Sequence, residues 1–278
     1  GLGDVYKRQA LRSGDVDIVA VPNPDSVRNL VSEGYTLSEG RPPHVWYLSF
    51  NMRDPIMAHK EVRQAINLAI DRDGMARDLL RGTVNPAYGV QAPANSAYVE
   101  RTDAYARNLD KARELLRQAG YPDGFTTTLT TSVDGSGQII PSQMAEYLQQ
   151  NLADVGIDLK VDTQEWISYL GTWAQGAQKG VGMAQMSWGM TSPYWLYIAT
   201  SSALQAPNGP NVGYYSNPAL DHAMDSAIES TDPEVANTWW RRANDIVTAD
   251  AALAPIVNDK APYLSLIHIS EPTRLGMI

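Results

Sequence analysis

The stretch from Phe50 to Gly82, FNMRDPIMAHKEVRQAINLAIDRDGMARDLLRG, constrains the fold more tightly than any other. It reads as a strand end, a turn marked by Pro55 and an amphipathic helix. Val62, Ala65, Ile66, Ala69 and Ile70 recur at helical spacing and predict the buried face. Glu61, Arg63, Gln64, Asn67 and Asp71 fall on the opposite face, which the pattern assigns to solvent. A second short helix follows, with Met75 and Leu79 inward and Gly82 placed to stop it.

Strand and helix patterns alternate along the rest of the chain. Asp17–Val21 and His44–Asn51 are β-branched or aromatic runs and predict strands. Arg101–Arg107 is polar and predicts a loop. Leu109, Ala112, Leu115, Leu116 and Ala119 form a helical stripe closed by Gly120. Phe125, Thr127, Leu129 and Thr131 alternate as a strand, followed by the loop Asp134-Gly135-Ser136-Gly137. Met144, Tyr147, Leu148, Leu152 and Val155 predict the next helix, and Ile157, Leu159 and Val161 the next strand. Trp166, Tyr169, Leu170 and Trp173 suggest another helix. Asn217-Pro218 and Asp232-Pro233 each place a capping side chain before a proline in the first turn. Behind them Leu220, Met224, Ala227 and Ile228, then Val235, Trp239, Ala243, Ile246 and Val247, are expected inward. Strands separated by helices define an α/β class.

Composition sets the outer bounds. Apolar residues make up 44% and charged residues 19%, enough for a core and too apolar for disorder. The net charge of −9 argues against a nucleic-acid partner, which needs basic groups to neutralise phosphates. The chain has no cysteine, and no apolar run reaches membrane-spanning length. Histidines stand at 44, 59, 222 and 268, none at metal-ligand spacing with another, so neither a metal site nor a cofactor is expected. No G-x-S-x-G, P-loop or dinucleotide fingerprint appears.

The opening stretch also carries a resemblance. An asparagine after an aromatic strand, then V-R-Q-A-I-x-x-A-I-D-R and L-x-x-G, resembles the signature of solute-binding proteins that feed peptide, nickel or opine ABC importers. The likeness runs more loosely from about Ala10 to about Tyr263. Asp110–Leu116 with Ala119-Gly120-Tyr121, and Tyr215–Asp221, resemble two further motifs of that family, and capping and packing explain both. The resemblance implies a class II periplasmic-binding-protein-like fold, with residues 10–50 as a remnant of the first lobe and hinge. Residues 51–258 would form the second α/β lobe, and 259–264 the return toward the first. The ends, 1–9 and 265–278, resemble translated sequencing-adapter readthrough and are expected to pack poorly, Leu266, Ile267 and Ile269 included. The chain is thus expected to be an internal fragment that binds no solute alone and self-associates.

Candidate site residues lie between Met183 and Tyr214. Trp188, Met190, Thr191, Ser192, Tyr194 and Trp195 combine aromatics with small polar groups in a turn after a strand. Two readings stand: a cleft wall with an aromatic platform, or ordinary core aromatics. Asn211, Val212 and Tyr214 follow a Gly/Pro-rich loop and are candidates for the same cleft, with a plain surface turn as the alternative. In peptide-binding relatives the matching segment reads W-x-x-D, and its Asp grips the ligand's α-ammonium. Thr191 stands there in this chain, which predicts weak selectivity for a free amine and little cost on N-acetylation.

The resemblance implies capture rather than chemistry. A small organic solute or short peptide would be held between lobes and passed to an ABC permease with its ATPase, in the periplasm or outside the cell. The protein would sit at the membrane if lipid-anchored, and the intact form would be monomeric. The alternatives are an extracytoplasmic hydrolase acting on peptides or glycans, and a sensor or chaperone module on the same fold.

Overall fold

A computed structural model describes residues 2–40, 44–189 and 191–265. In chain order the first elements are α1 (Leu2–Ser13), β1 (Ile18–Ala20), α2 (Pro24–Ser32), β2 (Thr36–Ser38) and β3 (Val45–Phe50). Next come α3 (Lys60–Ala69) and α4 (Arg72–Gly74), which runs on into a π-helical turn, Met75–Leu79. Then follow β4 (Val84–Pro86), α5 (Thr102–Tyr105), α6 (Leu109–Gln118), β5 (Phe125–Ser132), α7 (Pro141–Ala153) and β6 (Ile157–Gln164). The chain continues through α8 (Trp166–Ala174), β7 (Met183–Trp188), α9 (Trp195–Thr200), α10 (Pro218–Glu229), α11 (Pro233–Ala249), β8 (Leu253–Asp259) and β9 (Tyr263–Ser265).

Six strands form one sheet in the order β4-β8-β3-β7-β5-β6. β3 runs antiparallel to both β7 and β8, while β5 is parallel to β6 and β7. Every residue of β3 is buried, and its side chains alternate between two cores. Trp46, Leu48 and Phe50 join Val62, Ile66, Leu116, Leu148 and Leu152 from α3, α6 and α7. Val45 and Tyr47 join Trp195, Leu220, Met224 and Val247 from α9, α10 and α11. Helices thus cover both faces of the sheet, which is why the aromatic run shows no polar alternation.

β1, β9 and β2 form a second, three-stranded sheet, with β9 antiparallel to both neighbours. Leu11 of α1, with Val27 and Leu30 of α2, packs on one face against Val19 and Leu264. The chain leaves this small unit after β2, enters the large sheet with β3 and returns after Asp259. The expected passage near Asn51 is corrected by the pairing: β3 sits at the centre of the large sheet. Ser265, expected in a foreign tail, pairs with Ile18 and Thr36 and is buried. Residues 2–13, partly expected as foreign, form α1, on which Val5 and Tyr6 are exposed. Leu266, Ile267 and Ile269 lie outside the described residues.

The helix expected after Pro55 forms as α3, but its polar face is not solvated. Arg63 and Asn67 are 5% and 1% exposed. Arg63 donates to the carbonyls of Met57, Ala58, Asp250 and Ala251. Asn67 donates to the Leu253 carbonyl and accepts from Arg72 through Oδ1. Arg72, also buried, donates to the carbonyls of Asn67, Tyr105 and Pro255. Burial pulls its guanidinium down to about 10. No carboxylate neutralises this arginine among the described residues; backbone dipoles do that work, and they tie α3 to the turn before β8. Three smaller expectations also change. Thr102–Tyr105 is helical rather than loop, because Tyr105 is buried against Arg72 and Thr248. Ile228 and Val235 face solvent, at 45% and 46% exposure, since the apolar stripes of α10 and α11 are already closed by Ala227 and Ala243.

Candidate functional site

The inner ends of four strands meet on one edge of the large sheet. Ser132 closes β5, Trp188 closes β7, and Val45 opens β3 opposite both Trp188 and Asn258. Asp259 closes β8, where the chain leaves for the small unit. In open α/β sheets, ligands bind beyond the carboxyl ends of the parallel strands. A cavity of about 750 Å³ opens there. Its lining includes Lys7, Ala20, Val21 and Asn23 from the small unit, the loop 133–140 with Gln143 from the large one, and Asp259 at the crossing.

The loop that forms one wall has a defined geometry. Val133 N–H donates to the Gln164 carbonyl at 2.9 Å, and Gln138 N–H to the Gly135 carbonyl at 3.2 Å. Gly135 has φ +135°, and a Cβ there would lie 2.3 Å from the Trp166 indole, so only glycine fits. Behind the loop runs a buried polar chain. Thr131 Oγ1 donates to Gln185 Oε1 at 2.9 Å, and Gln185 Nε2 to Gln138 Oε1 at 2.8 Å. Trp46 Nε1 donates to the same Gln138 oxygen at 2.9 Å. The Ser132 hydroxyl is buried without a partner. Asp259 accepts from Ala261 N–H at 2.7 Å, and burial pushes its carboxyl above the usual range. Neither Asp134 nor Asp259 has a Lys or Arg ion-pair partner among the described residues.

The residues expected to bind a ligand divide into groups. Trp195 is 2% exposed, packs on Tyr47 and donates to Gln91 Oε1; it belongs to the core. Asn211, 1% exposed, donates to the carbonyls of Ser201 and Tyr215 and accepts from Tyr215 N–H, which leaves it no free polar group for a solute. Val212 is buried as well. Tyr214, at φ +58°, carries the Arg53 guanidinium 3.5 Å from its ring centroid and borders a different hollow, on the outer side of α8. Trp188 is half-buried and leans on Trp173, with ring centroids 5.8 Å apart. Thr191 and Ser192 are exposed, and Tyr194 stacks on Tyr197 at 5.2 Å. Met190 lies outside the described residues. Of the expected residues that the structure describes, Trp188, the last of β7, stands at the strand-end edge. The sequence did not single out Lys7, Asn23, Gln138, Gln143 or Asp259, which line this cavity. The glycine loop beside Gln138 was the available signal, but nothing local tells that Asn23 and Asp259 come to face it.

Among the described residues no group of His, Asp and Glu is arranged to hold a metal, and no helix is long and apolar enough to cross a membrane. A second cavity, about 580 Å³, lies among α3, α5, α6 and α11. Two of its basic groups are already engaged: Arg101 by Asp103 and Asp245, Arg107 by Asp154.

A mixed sheet of this order, helices on both faces and a cavity at the crossing to a second unit define a class II periplasmic-binding-protein-like fold. The chain belongs to the bacterial extracellular solute-binding proteins, family 5 (middle), which it matches over residues 4–207. It is 29% identical over 260 residues to the glutathione-binding protein GsiB of Salmonella choleraesuis (strain SC-B67), covering 90% of this chain and 49% of that protein. The same protein of Shigella dysenteriae is 31% identical over 222 residues, covering 77% and 42%. The periplasmic binding protein DppA of Helicobacter pylori, solved with the peptide STSA, superposes with a TM-score of 0.84 at 26% identity, covering 94% of this chain and 51% of that one. NikA of Staphylococcus aureus, solved with Ni(L-His)2, shares the fold at a TM-score of 0.78 and 18% identity. The chain spans about half the length of the curated relatives it matches.

Proposed function

We propose that the full-length protein carrying this chain is the extracytoplasmic solute-binding subunit of an ABC importer. It captures a peptide-like or other small organic solute and delivers it to a membrane permease and its ATPase. The observation that carries this reading is the cavity between the small unit and the loop 133–140, at the inner edge of the large sheet. A solute there touches both units, so the closed arrangement gains contacts that an open one lacks, and binding shifts the population toward closure. Relatives named for glutathione and crystallised with a peptide support the solute class. The cavity walls offer amides, a hydroxyl, two carboxylates and the Lys7 ammonium, which suits a polar solute that carries both donors and acceptors.

Calorimetric titration of the full-length protein with glutathione, dipeptides and tripeptides, each with and without an N-acetyl group, tests the proposal. Binding of at least one probe is the expected result; binding of none overturns it. A large loss on acetylation assigns the amine to Asp134 or Asp259. Unchanged affinity keeps the reading that neutral Thr191 leaves the amine unanchored.

A further inference from the structure

Gln138 combines three properties that set it apart from the other residues of the cavity. It lines the cavity, it is only 7% exposed, and its side-chain orientation is fixed. An indole N–H can only donate, so Trp46 Nε1 requires an oxygen opposite it. Gln185 Nε2 donates to that same oxygen, and Gln185 is fixed in turn because its Oε1 accepts from Thr131. Gln138 cannot flip without breaking both bonds, so its Nε2 is held as the free end of the amide. The nearest partner of that Nε2 is Met186 Sδ at 4.0 Å, a weak acceptor. The amide nitrogen of this buried, cavity-lining glutamine therefore lacks an oxygen or nitrogen acceptor within the protein.

From this geometry, and resting on the solute-binding reading above, we infer that Gln138 is a specificity-determining residue whose Nε2 donates to a carbonyl or carboxylate oxygen of the bound solute. Its orientation is set before the ligand arrives, so little ordering cost falls on binding. Lys7 lines the same cavity as Asp134 and Asp259, so the amide selects for an oxygen acceptor and not for its charge. A solute with no acceptor at this point would leave the amide unpaired and be rejected by that cost.

The test is Gln138→Glu in the full-length protein, titrated with trialanine and with trialanine amide. Glutamate keeps an oxygen for Trp46 and Gln185 and removes the free donor. The expected result is a loss of about ten- to a hundred-fold in affinity for both probes; the buried charge lowers the melting temperature, so both titrations are run well below it. Gln138→Met, which also unpairs Trp46, should lower the melting temperature and weaken both probes by about ten-fold. Wild-type affinity in Gln138→Glu overturns the assignment while leaving the solute-binding reading intact. A loss confined to the free acid marks charge repulsion by the new carboxylate rather than a lost donor, and overturns the assignment. Failure of the wild type to bind either probe, or glutathione, overturns both readings together.

Discussion

Two buried polar clusters in this molecule look alike in composition and differ in what they leave open. The first, Arg63, Asn67 and Arg72, joins α3 to the turn before β8, and its guanidinium nitrogens are spent on backbone carbonyls and one amide oxygen. The second, Thr131, Gln185, Gln138 and Trp46, backs the cavity wall and ends on an amide nitrogen with only a thioether near it. A buried polar group without a partner costs free energy, so a fold keeps it where something else supplies the partner. The closed cluster therefore reads as structure and the open one as a site. The family signature falls on the closed cluster, so the most recognisable residues of the chain are ones whose polar groups are spent within the fold.

Substitutions separate the two. Arg72→Leu should have the largest effect, lowering stability by about 3 kcal/mol because several buried carbonyls lose their donor. Urea unfolding measures this, and solute affinity of the protein that still folds should not move. Trp195→Phe removes the donor to Gln91 and part of a packed indole; about 2 kcal/mol of stability should go, again with affinity unchanged. An affinity loss in Trp195→Phe would return that residue to the site. Thr131→Val cuts the far end of the open cluster. It should cost only about 1 kcal/mol of stability yet loosen Gln185 and Gln138, and so weaken binding several-fold.

Asp259 gives the smallest effect and a sign. Its carboxyl holds its proton more tightly in the folded chain than in the unfolded one. Its stabilising contribution is thus full below the usual carboxylate pKa and is lost as pH rises through the raised value. Asp259→Asn keeps an oxygen for Ala261 N–H and removes the titration. Melting temperatures followed from acid to neutral pH should fall less in Asp259→Asn than in the wild type; equal slopes would remove the burial argument for this residue.

What the sequence showed and what it hid follow from range. Helices α3, α6, α7, α10 and α11 were legible because apolar periodicity and caps are local; Asn217 and Asp232 each accept from an N–H of the first turn at 2.9 Å, as their position before proline implied. Arg63 and Asn67 were misplaced because a polar side chain on a helix looks solvated whatever it faces, and the partners that hold them inward, Asp250, Ala251 and Leu253, lie more than a hundred residues on. Trp195 and Asn211 were candidates because aromatic and amide groups serve cores and clefts alike, and only burial separates the two. The cavity itself was invisible, since it needs Ala20–Asn23, 133–140 and Asp259 to converge.

The central claim is that a solute occupies this cavity, and filling it is the direct test. Ser136 is an exposed residue of the cavity wall, so Ser136→Trp adds bulk there without disturbing either core. Calorimetric titration of Ser136→Trp beside Tyr194→Ala, in the full-length protein and with the same peptide probe, decides the matter. The account predicts that Ser136→Trp loses binding while its melting temperature holds, and that Tyr194→Ala binds as the wild type does. Wild-type affinity in Ser136→Trp, with binding lost in Tyr194→Ala, would contradict it and move the site to the segment after β7.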